Sequence, residues 1–252
     1  MRITVLGKSP AWQDRDGACS GYLVEEAATR VLLDCGNGVF AKLRRFVDFD
    51  DVDAVVISHL HADHFLDLVP YAYALTYAPR RRSARPRLYA PPGARGCFRR
   101  VTGAWGSEDL IDKAFDVCEY DPDETLELGS LRVRFHPVVH FIPAWAIEFS
   151  STLTAGRFTF GADSAPSDDL VRFAEGADLL MLEATLPQPE RSGARGHLTP
   201  SEAGDHAARA QVGRLVITHF PDDLDTQWVT TEAERTFGDT VSVAREGAVY
   251  TV

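Results

Sequence analysis

Short apolar segments bounded by turn residues recur along the whole chain. Their length and their content of β-branched and aromatic residues are typical of strands. We predict strands in RITVLG, GYLVEE, TRVLLDCG, DAVVISH, RPRLYAPPG, ETLELGSLRVRFHPVVH, AWAIEFSS, GRFTFGADS, ADLLMLEAT, RLVITHF and AVYTV. The polar and glycine-rich residues between these segments predict tight turns.

Three stretches have a helical pattern instead. VPYAYALTYA is apolar with a proline near its start, and residues 107–117 suggest a second helix. The third lies in HLTPSEAGDHAARAQVG, where Thr199 is the predicted N-cap and Glu202 completes a T-x-x-E capping box. Pro200 suits the first helical position, and Gly213 is the predicted helix stop.

The order of elements is mostly strands, then a helix, then more strands, then alternating helix and strand. This order is typical of sheets that are covered by helices, which is the α/β class. No short repeat, low-complexity tract or long linker interrupts it. We therefore expect one domain over residues 1–252.

Composition and charge limit the classes of substrate that the chain is expected to bind. The chain has 252 residues, 45% of them hydrophobic and 25% charged, which is typical of a globular protein. A formal net charge of −11 argues against binding a long nucleic acid, but a small anionic substrate can still bind at a locally positive site. The one basic run, PRRRSARPR at residues 79–87, is either a solvated loop or a rim that faces phosphate.

Location and redox state follow from what the sequence contains. No stretch is apolar enough to span a membrane, and MRITVLG is predicted to be a strand rather than a signal peptide, so we expect a cytoplasmic protein. The cysteines form no C-x-x-C pair, and we expect reduced thiols.

The stretch SHLHADHFLDL contains the clearest chemical signal. His59, His61, Asp63 and His64 fall within six positions, directly after a predicted strand. His59 and His61 are two residues apart, so in extended chain their side chains point the same way. Imidazole and carboxylate ligands suit zinc, and manganese or iron are alternatives. One histidine alone would be interpreted as a surface residue, but this density predicts a metal site.

Later strand ends supply further ligands. His140, Asp163 and His219 each end an apolar segment, and α/β folds commonly place functional residues there. We interpret His136 and His206 as structural.

These residues support a family resemblance. HLHADH matches the H-x-H-x-D-H motif of the metallo-β-lactamase superfamily, and LLDCGNG, LEAT and GHLTPSEAG together resemble its ribonuclease Z and phosphodiesterase branch. The resemblance implies a four-layer αββα sandwich with two zinc ions and a hydroxide between them as the nucleophile. It implies these metal ligands: His59, His61 and His140 on one ion, Asp63, His64 and His219 on the other, and Asp163 bridging both.

The same resemblance implies the catalytic residues. Glu183 and His197 would form a pair near the substrate phosphate, and with Asp63 they make up the expected catalytic set. Two zinc ions and two carboxylates leave about two positive charges, which favours an anionic ester.

The substrate is expected to be small. Many ribonuclease Z proteins carry a long tRNA-gripping arm between the residues that correspond to His140 and Asp163, but only residues 141–162 lie between them here. We therefore favour a phosphodiesterase that acts on a small, even cyclic, phosphodiester. The alternatives are a ribonuclease Z-type tRNA 3′ endonuclease, a lactone, thioester or sulfate-ester hydrolase on the same scaffold, and a non-catalytic metal-binding role.

The resembled family often forms homodimers, so we expect a homodimer. The apolar segment VPYAYALTYA is either the interface or a core helix.

Overall fold

Two mixed sheets form the centre of the molecule. The computed structural model describes residues 1–79, 84–190 and 192–252. The first sheet has the order β14-β1-β2-β3-β4-β5-β6, with strands β1 Arg2–Gly7, β2 Gly21–Glu26, β3 Thr29–Leu33, β4 Ala54–Val56, β5 Arg87–Ala90, β6 Asp116–Glu119 and β14 Val249–Thr251. The second has the order β13-β12-β11-β10-β9-β8-β7, with strands β7 Leu126–Leu128, β8 Leu131–Val138, β9 Ala144–Ser151, β10 Arg157–Phe160, β11 Leu179–Glu183, β12 Leu215–Thr218 and β13 Val241–Val243.

The inner faces of the two sheets pack on each other. In β8 buried and solvent-facing residues alternate, with Leu131 and Val133 inward, as a strand with one face in the core requires. Tyr22 of the first sheet meets Phe160 of the second with ring centroids 5.2 Å apart. This contact belongs to the central hydrophobic core, which takes residues from both sheets.

Helices cover both outer faces. They are α1 Val39–Leu43, α2 Ala62–Phe65, α3 Leu68–Tyr77, α4 Ala94–Gly103, α5 Leu110–Ala114, α6 Asp168–Phe173, α7 Pro200–Arg209 and α8 Thr226–Phe237, with a short 3-10 helix at Phe49–Asp51. α1, α3, α4 and α5 pack on the first sheet, and α6, α7 and α8 on the second. The architecture is the expected αββα sandwich, which confirms the predicted fold class.

The boundaries of α7 show which local signals were informative. The capping box is present, with Thr199 accepting from the backbone of Glu202 and Glu202 accepting from the backbone of Thr199. The helix stops earlier than predicted, however, at Arg209, and Gln211 rather than Gly213 takes the left-handed conformation, with φ of 52°. Gly213 is needed for close packing instead, because a Cβ there would lie 3.0 Å from the carbonyl oxygen of Asp178.

The prediction of a helix at residues 107–117 was only half correct. α5 occupies five of these residues, and the chain then turns directly into β6. Among the described residues, no helix has the length and apolar content needed to cross a membrane.

The two sheets adjoin at one edge. β8, β10, β11 and β12 run in the same direction, so their carboxyl ends lie together, and those of β3 and β4 face them. A β-bridge between His59 and Ala144 and a hydrogen bond from Trp145 N to Ser58 O, 3.3 Å long, join the sheets there. The residues that follow these strands therefore converge.

Candidate metal centre and active site

The histidine cluster lies where β4 ends and α2 begins. His59 follows the strand, His61 is the N-cap of α2, and Asp63 and His64 lie in its first turn. His59, Asp63 and His64 are buried. A four-residue helix has little intrinsic stability, so its surroundings must hold these side chains in place.

One group of donor atoms joins His59 and His61 to His140 and Asp163. His61 Nδ1 lies 3.2 Å from His59 Nε2 and 3.0 Å from His140 Nε2. Asp163 Oδ2 lies 3.9 Å from Nε2 of both His59 and His140. These four donor atoms can hold one metal ion.

A second group joins Asp63 and His64 to Asp163 and His219. His219 Nε2 lies 3.2 Å from Asp63 Oδ2 and 3.3 Å from Asp163 Oδ2. His64 Nε2 lies 3.4 Å from Asp163 Oδ1 and 3.5 Å from Asp63 Oδ2. Asp163 is shared by both groups, so the structure brings together all seven residues predicted as ligands.

The spacing of the donors fits metal ions. Ligands 2.0–2.1 Å from a tetrahedral zinc ion are roughly 3.4 Å apart, which falls within the range of distances in both groups. Within the described residues, His64 Nε2 and Asp163 Oδ1 are buried atoms without a hydrogen-bond partner. Unpaired buried polar atoms are costly unless something else binds them, and a cation between them would do so.

The opposite ring nitrogens are held by the protein. His64 Nδ1 donates to Asp34 Oδ2 over 2.7 Å, and His140 Nδ1 donates to the Gly196 carbonyl over 2.7 Å. His59 Nδ1 lies 3.1 Å from Ser58 Oγ, and that hydroxyl donates to Asp34. Such outer contacts fix the tautomer and turn each Nε2 toward the candidate metal site.

His219 is held in the same manner by a residue near the catalytic pair. Its Nδ1 lies 3.0 Å from Thr185 Oγ1, which in turn is 2.7 Å from Glu183 Oε2. Asp34, Ser58 and Thr185 were not among the site residues predicted from the sequence. They could have been found, because each is a polar residue at or just beyond the end of an apolar strand.

Three residues at these strand ends have a strained backbone. Asp34, Ala162 and His219 have φ of 55°, 52° and 48°, in the left-handed region that residues with a Cβ rarely adopt. Each costs of order 1–3 kcal/mol, so the surrounding structure must hold it. Gly36 allows the loop after β3 to press on α2, since a Cβ there would lie 1.8 Å from the carbonyl oxygen of Asp63.

The protonation states of His59, His140 and the two aspartates suit metal binding. Burial lowers the pKa of His59 well below its ordinary value and that of His140 to about 4, so both rings are neutral. Burial opposes ionisation of Asp63 and Asp163, but the adjacent histidines, chiefly His219 and His64, outweigh it and hold the pKa of each carboxyl below its usual range. Neutral imidazoles and ionised carboxylates are the forms that coordinate metal. For His64, burial favours the neutral ring, but Asp163 and Asp34 outweigh it and raise the pKa well above its ordinary value, so a metal ion would have to displace that proton.

Glu183 and His197 form a pair beside the second donor group. Glu183 Oε1 accepts from His197 Nδ1 over 2.8 Å, and Glu183 also accepts from the backbone of Ser164 and Thr185. Burial disfavours the charged form of His197, but the hydrogen bond and charge of Glu183 outweigh it and raise its pKa to about 8. Ligand atoms of Glu183, His197 and His219 lie within 4.8 Å of one another.

The two remaining histidines lie outside the site. His206 is buried in α7, where it accepts from Ser167 N and donates to the Glu202 carbonyl. His136 stacks on Phe173 with ring centroids 5.2 Å apart. Both contacts agree with structural roles.

The described part of the basic run also faces away from the site. Arg80, Arg81 and Arg82 lie outside the described residues. Arg85 donates to the Asp112 carbonyl and Arg87 to the Tyr89 hydroxyl, at the amino end of β5, whereas the donor groups lie beyond the carboxyl end of its parallel neighbour β4.

Comparison with known proteins identifies the family. Residues 29–220 match the Beta-lactamase superfamily domain. The chain belongs to this superfamily. The probable metallo-hydrolase YhfI of Bacillus subtilis (strain 168) is 29% identical over 255 residues, which cover 99% of each chain. The crystal structure of YhfI, a metallo-beta-lactamase fold protein, has a TM-score of 0.87 at 28% identity and covers 99% of this chain and 98% of that one.

Two further proteins are similar to this chain. Ribonuclease Z of Ignicoccus hospitalis is 27% identical over 277 residues, with 87% of each chain covered. The crystal structure of a diphosphatase from the PhnP family has a TM-score of 0.75 at 20% identity, covering 100% of this chain and 97% of that one, which shows the shared fold. YhfI and ribonuclease Z, together with the cluster of histidines and aspartates, make the chain a metal-dependent hydrolase that resembles ribonuclease Z.

Proposed function

We propose that this chain is a dinuclear zinc hydrolase of small, including cyclic, phosphodiesters. The ligands would be those predicted: His59, His61 and His140 on one ion, Asp63, His64 and His219 on the other, and Asp163 on both. The observation that carries the proposal is the contact of Glu183 with His197 immediately beside the second group. A site that only stores metal has no need of such a pair.

The charges favour a phosphodiester. Two divalent ions balanced by the carboxylates of Asp63 and Asp163 leave about two positive charges, which attract an anionic ester despite the acidic protein. When bound, zinc lowers the pKa of a coordinated water to about 7 and stabilises charge that develops on a phosphoryl group.

His197 supplies the proton. Its Nδ1 is bound to Glu183, so its Nε2 is the nitrogen that remains to donate to the phosphate or to the leaving alcohol. Because Glu183 raises the pKa of His197 to about 8, the imidazolium form is populated at neutral pH, as a general acid requires.

The competing function is tRNA 3′ processing, which the ribonuclease Z relative favours. Residues 141–162 contain only β9, β10 and short turns, so this segment has no arm to grip tRNA. The net charge of −11 also offers few phosphate contacts. These two features support the smaller substrate.

The deciding experiment is a substrate panel with the zinc-loaded protein. We expect turnover of bis-p-nitrophenyl phosphate and of cyclic nucleotides, loss of that turnover in His59→Ala and Asp163→Asn, and two zinc ions per chain by elemental analysis. Full activity in metal-free protein would refute the proposal. Turnover of a thioester, lactone or sulfate ester without any phosphodiester would favour another hydrolase on the same scaffold, and cleavage of precursor tRNA would favour the endonuclease.

We also propose a homodimer, which the surface of α3 supports. This helix buries Leu68 and Tyr71 in the core but exposes Tyr77, which stacks on Tyr73, and Tyr73 accepts a hydrogen bond from Trp105. Light scattering on the purified protein tests this, and a monomer at micromolar concentration would contradict it.

A further inference from the structure

An exposed phenylalanine lies at the rim of the candidate active site. Phe141 follows the predicted ligand His140, and its ring centroid lies 5.1 Å from that of His140 and 5.7 Å from that of His197. It is nevertheless 52% exposed, whereas the side chain of His140 is fully buried and that of His197 is 17% exposed. Core packing therefore does not account for a large apolar ring at this position.

The backbone of Gly196 holds one side of this ring. A Cβ on Gly196 would lie 2.4 Å from Phe141 Cε2, so the ring occupies space that any other residue would take. The carbonyl of Gly196 also accepts a hydrogen bond from His140 Nδ1, so the backbone beside the Phe141 ring is fixed to one of the predicted metal ligands. With one side fixed, the exposed half of Phe141 remains free to contact a ligand.

We propose that Phe141 is a specificity-determining residue that stacks on a planar aromatic group carried by the alcohol of the phosphodiester. This inference rests on the proposed function, in which His197 protonates the leaving oxygen. The carbon skeleton next to that oxygen then lies beside His197, within reach of Phe141. Stacking a base on an aromatic ring is tolerant of base identity, so the predicted preference is for nucleosides as a class.

The experiment compares substrates with and without a base. Its substrates are adenosine 2′,3′- and 3′,5′-cyclic phosphates, together with the matching cyclic phosphates of 1-O-methylribose. For Phe141→Ala we expect kcat/KM on the adenosine compounds to fall about 5- to 150-fold, which corresponds to ~1–3 kcal/mol of stacking. We expect less than a twofold change on the base-free compounds. Phe141→Trp should restore the preference, and Phe141→Leu should not.

A matched control separates this effect from general loss of an exposed ring. Phe46 is 41% exposed and lies against Gly247, beyond α1, so Phe46→Ala should leave all four rates unchanged. Equal losses on both kinds of substrate in Phe141→Ala, no loss on either, or rescue by leucine would overturn the inference.

A binding measurement distinguishes failure of this inference from failure of the proposed function. Calorimetry with adenosine 5′-monophosphate and 1-O-methylribose 5-phosphate needs no turnover. If wild type hydrolyses no phosphodiester, the proposed function is wrong, and tighter binding of the adenosine compound that depends on Phe141 still supports the stacking role. Adenosine binding that is unchanged in Phe141→Ala refutes that role even when phosphodiesters are hydrolysed.

Discussion

Glu183 Oε1 accepts a hydrogen bond from His197 Nδ1 over 2.8 Å, and its other oxygen binds Thr185. Glu183 is 1% exposed, so both contacts lie in a poorly solvated environment, where they are strong. Thr185 also contacts Nδ1 of His219. One buried carboxylate thus orients the proposed proton donor and, through a hydroxyl, a proposed metal ligand.

The first prediction concerns the proton donor. His197→Gln removes the titrating group but keeps a polar side chain of similar length. We expect kcat on an unactivated phosphodiester to fall about 10²- to 10⁴-fold, the usual contribution of general acid catalysis, while bound zinc is unchanged. Steady-state kinetics with elemental analysis measures both. His136→Gln is the matched control, because His136 stacks on Phe173 instead, and equal losses in the two variants would contradict the assignment.

The second prediction concerns pH. The acid form of His197 is the active one, and Glu183 raises its pKa to about 8, so activity present at lower pH should decline as pH rises through this value. Glu183→Gln removes the charge that favours the protonated ring, so the alkaline limb of the rate profile should move to lower pH. The pH dependence of kcat in wild type and variant tests this. An alkaline limb at the same pH in both would show that another group is responsible.

The residues of the candidate metal site could be singled out from the sequence for a physical reason. Metal coordination requires particular side chains at close spacing, so HLHADH is informative without any tertiary context, and strand ends such as Asp163 follow from hydrophobic patterning. The outer contacts were harder to predict. Asp34 is 30 residues from its partner His64, and only the pairing of β3 with β4 brings them together.

Two of the helices that were not predicted from the sequence have a similar explanation. α4 and α8 contain few apolar residues, and α8 contains several threonines, which have low helix propensity. Their packing on the sheets stabilises them more than their local sequence does. Phe141 illustrates the same limit, because only the fold shows that its ring lies against Gly196 and beside His197.

The third prediction tests the outer contact of Asp34. Asp34→Asn keeps the size of the side chain but removes the carboxylate that binds His64 Nδ1 and the hydroxyl and amide of Ser58. We expect zinc affinity or kcat to fall about 10- to 100-fold, which is usual when a residue that hydrogen-bonds the non-ligating nitrogen of a metal-binding histidine is replaced. Competition with a chromophoric chelator measures the affinity. Asp178→Asn, which affects a carboxylate at the opposite end of β11, should leave affinity unchanged, and an equal effect of both substitutions would refute the role of Asp34.

The last prediction tests the close approach of the loop after β3 to α2. In Gly36→Ala the new methyl group would lie 1.8 Å from the backbone oxygen of Asp63, so α2 must move and carry Asp63 and His64 with it. We expect loss of about one zinc ion per chain, loss of most activity, and a free energy of unfolding lower by about 1–3 kcal/mol, typical of overpacking.

Gly96→Ala is the control, because Gly96 lies within α4 and a Cβ there meets only the Arg100 side chain, at 3.5 Å. That substitution should raise helix stability by about 0.5–1 kcal/mol and leave zinc content unchanged. Elemental analysis and urea unfolding measure both quantities, and full zinc content in Gly36→Ala would show that the loop does not position α2.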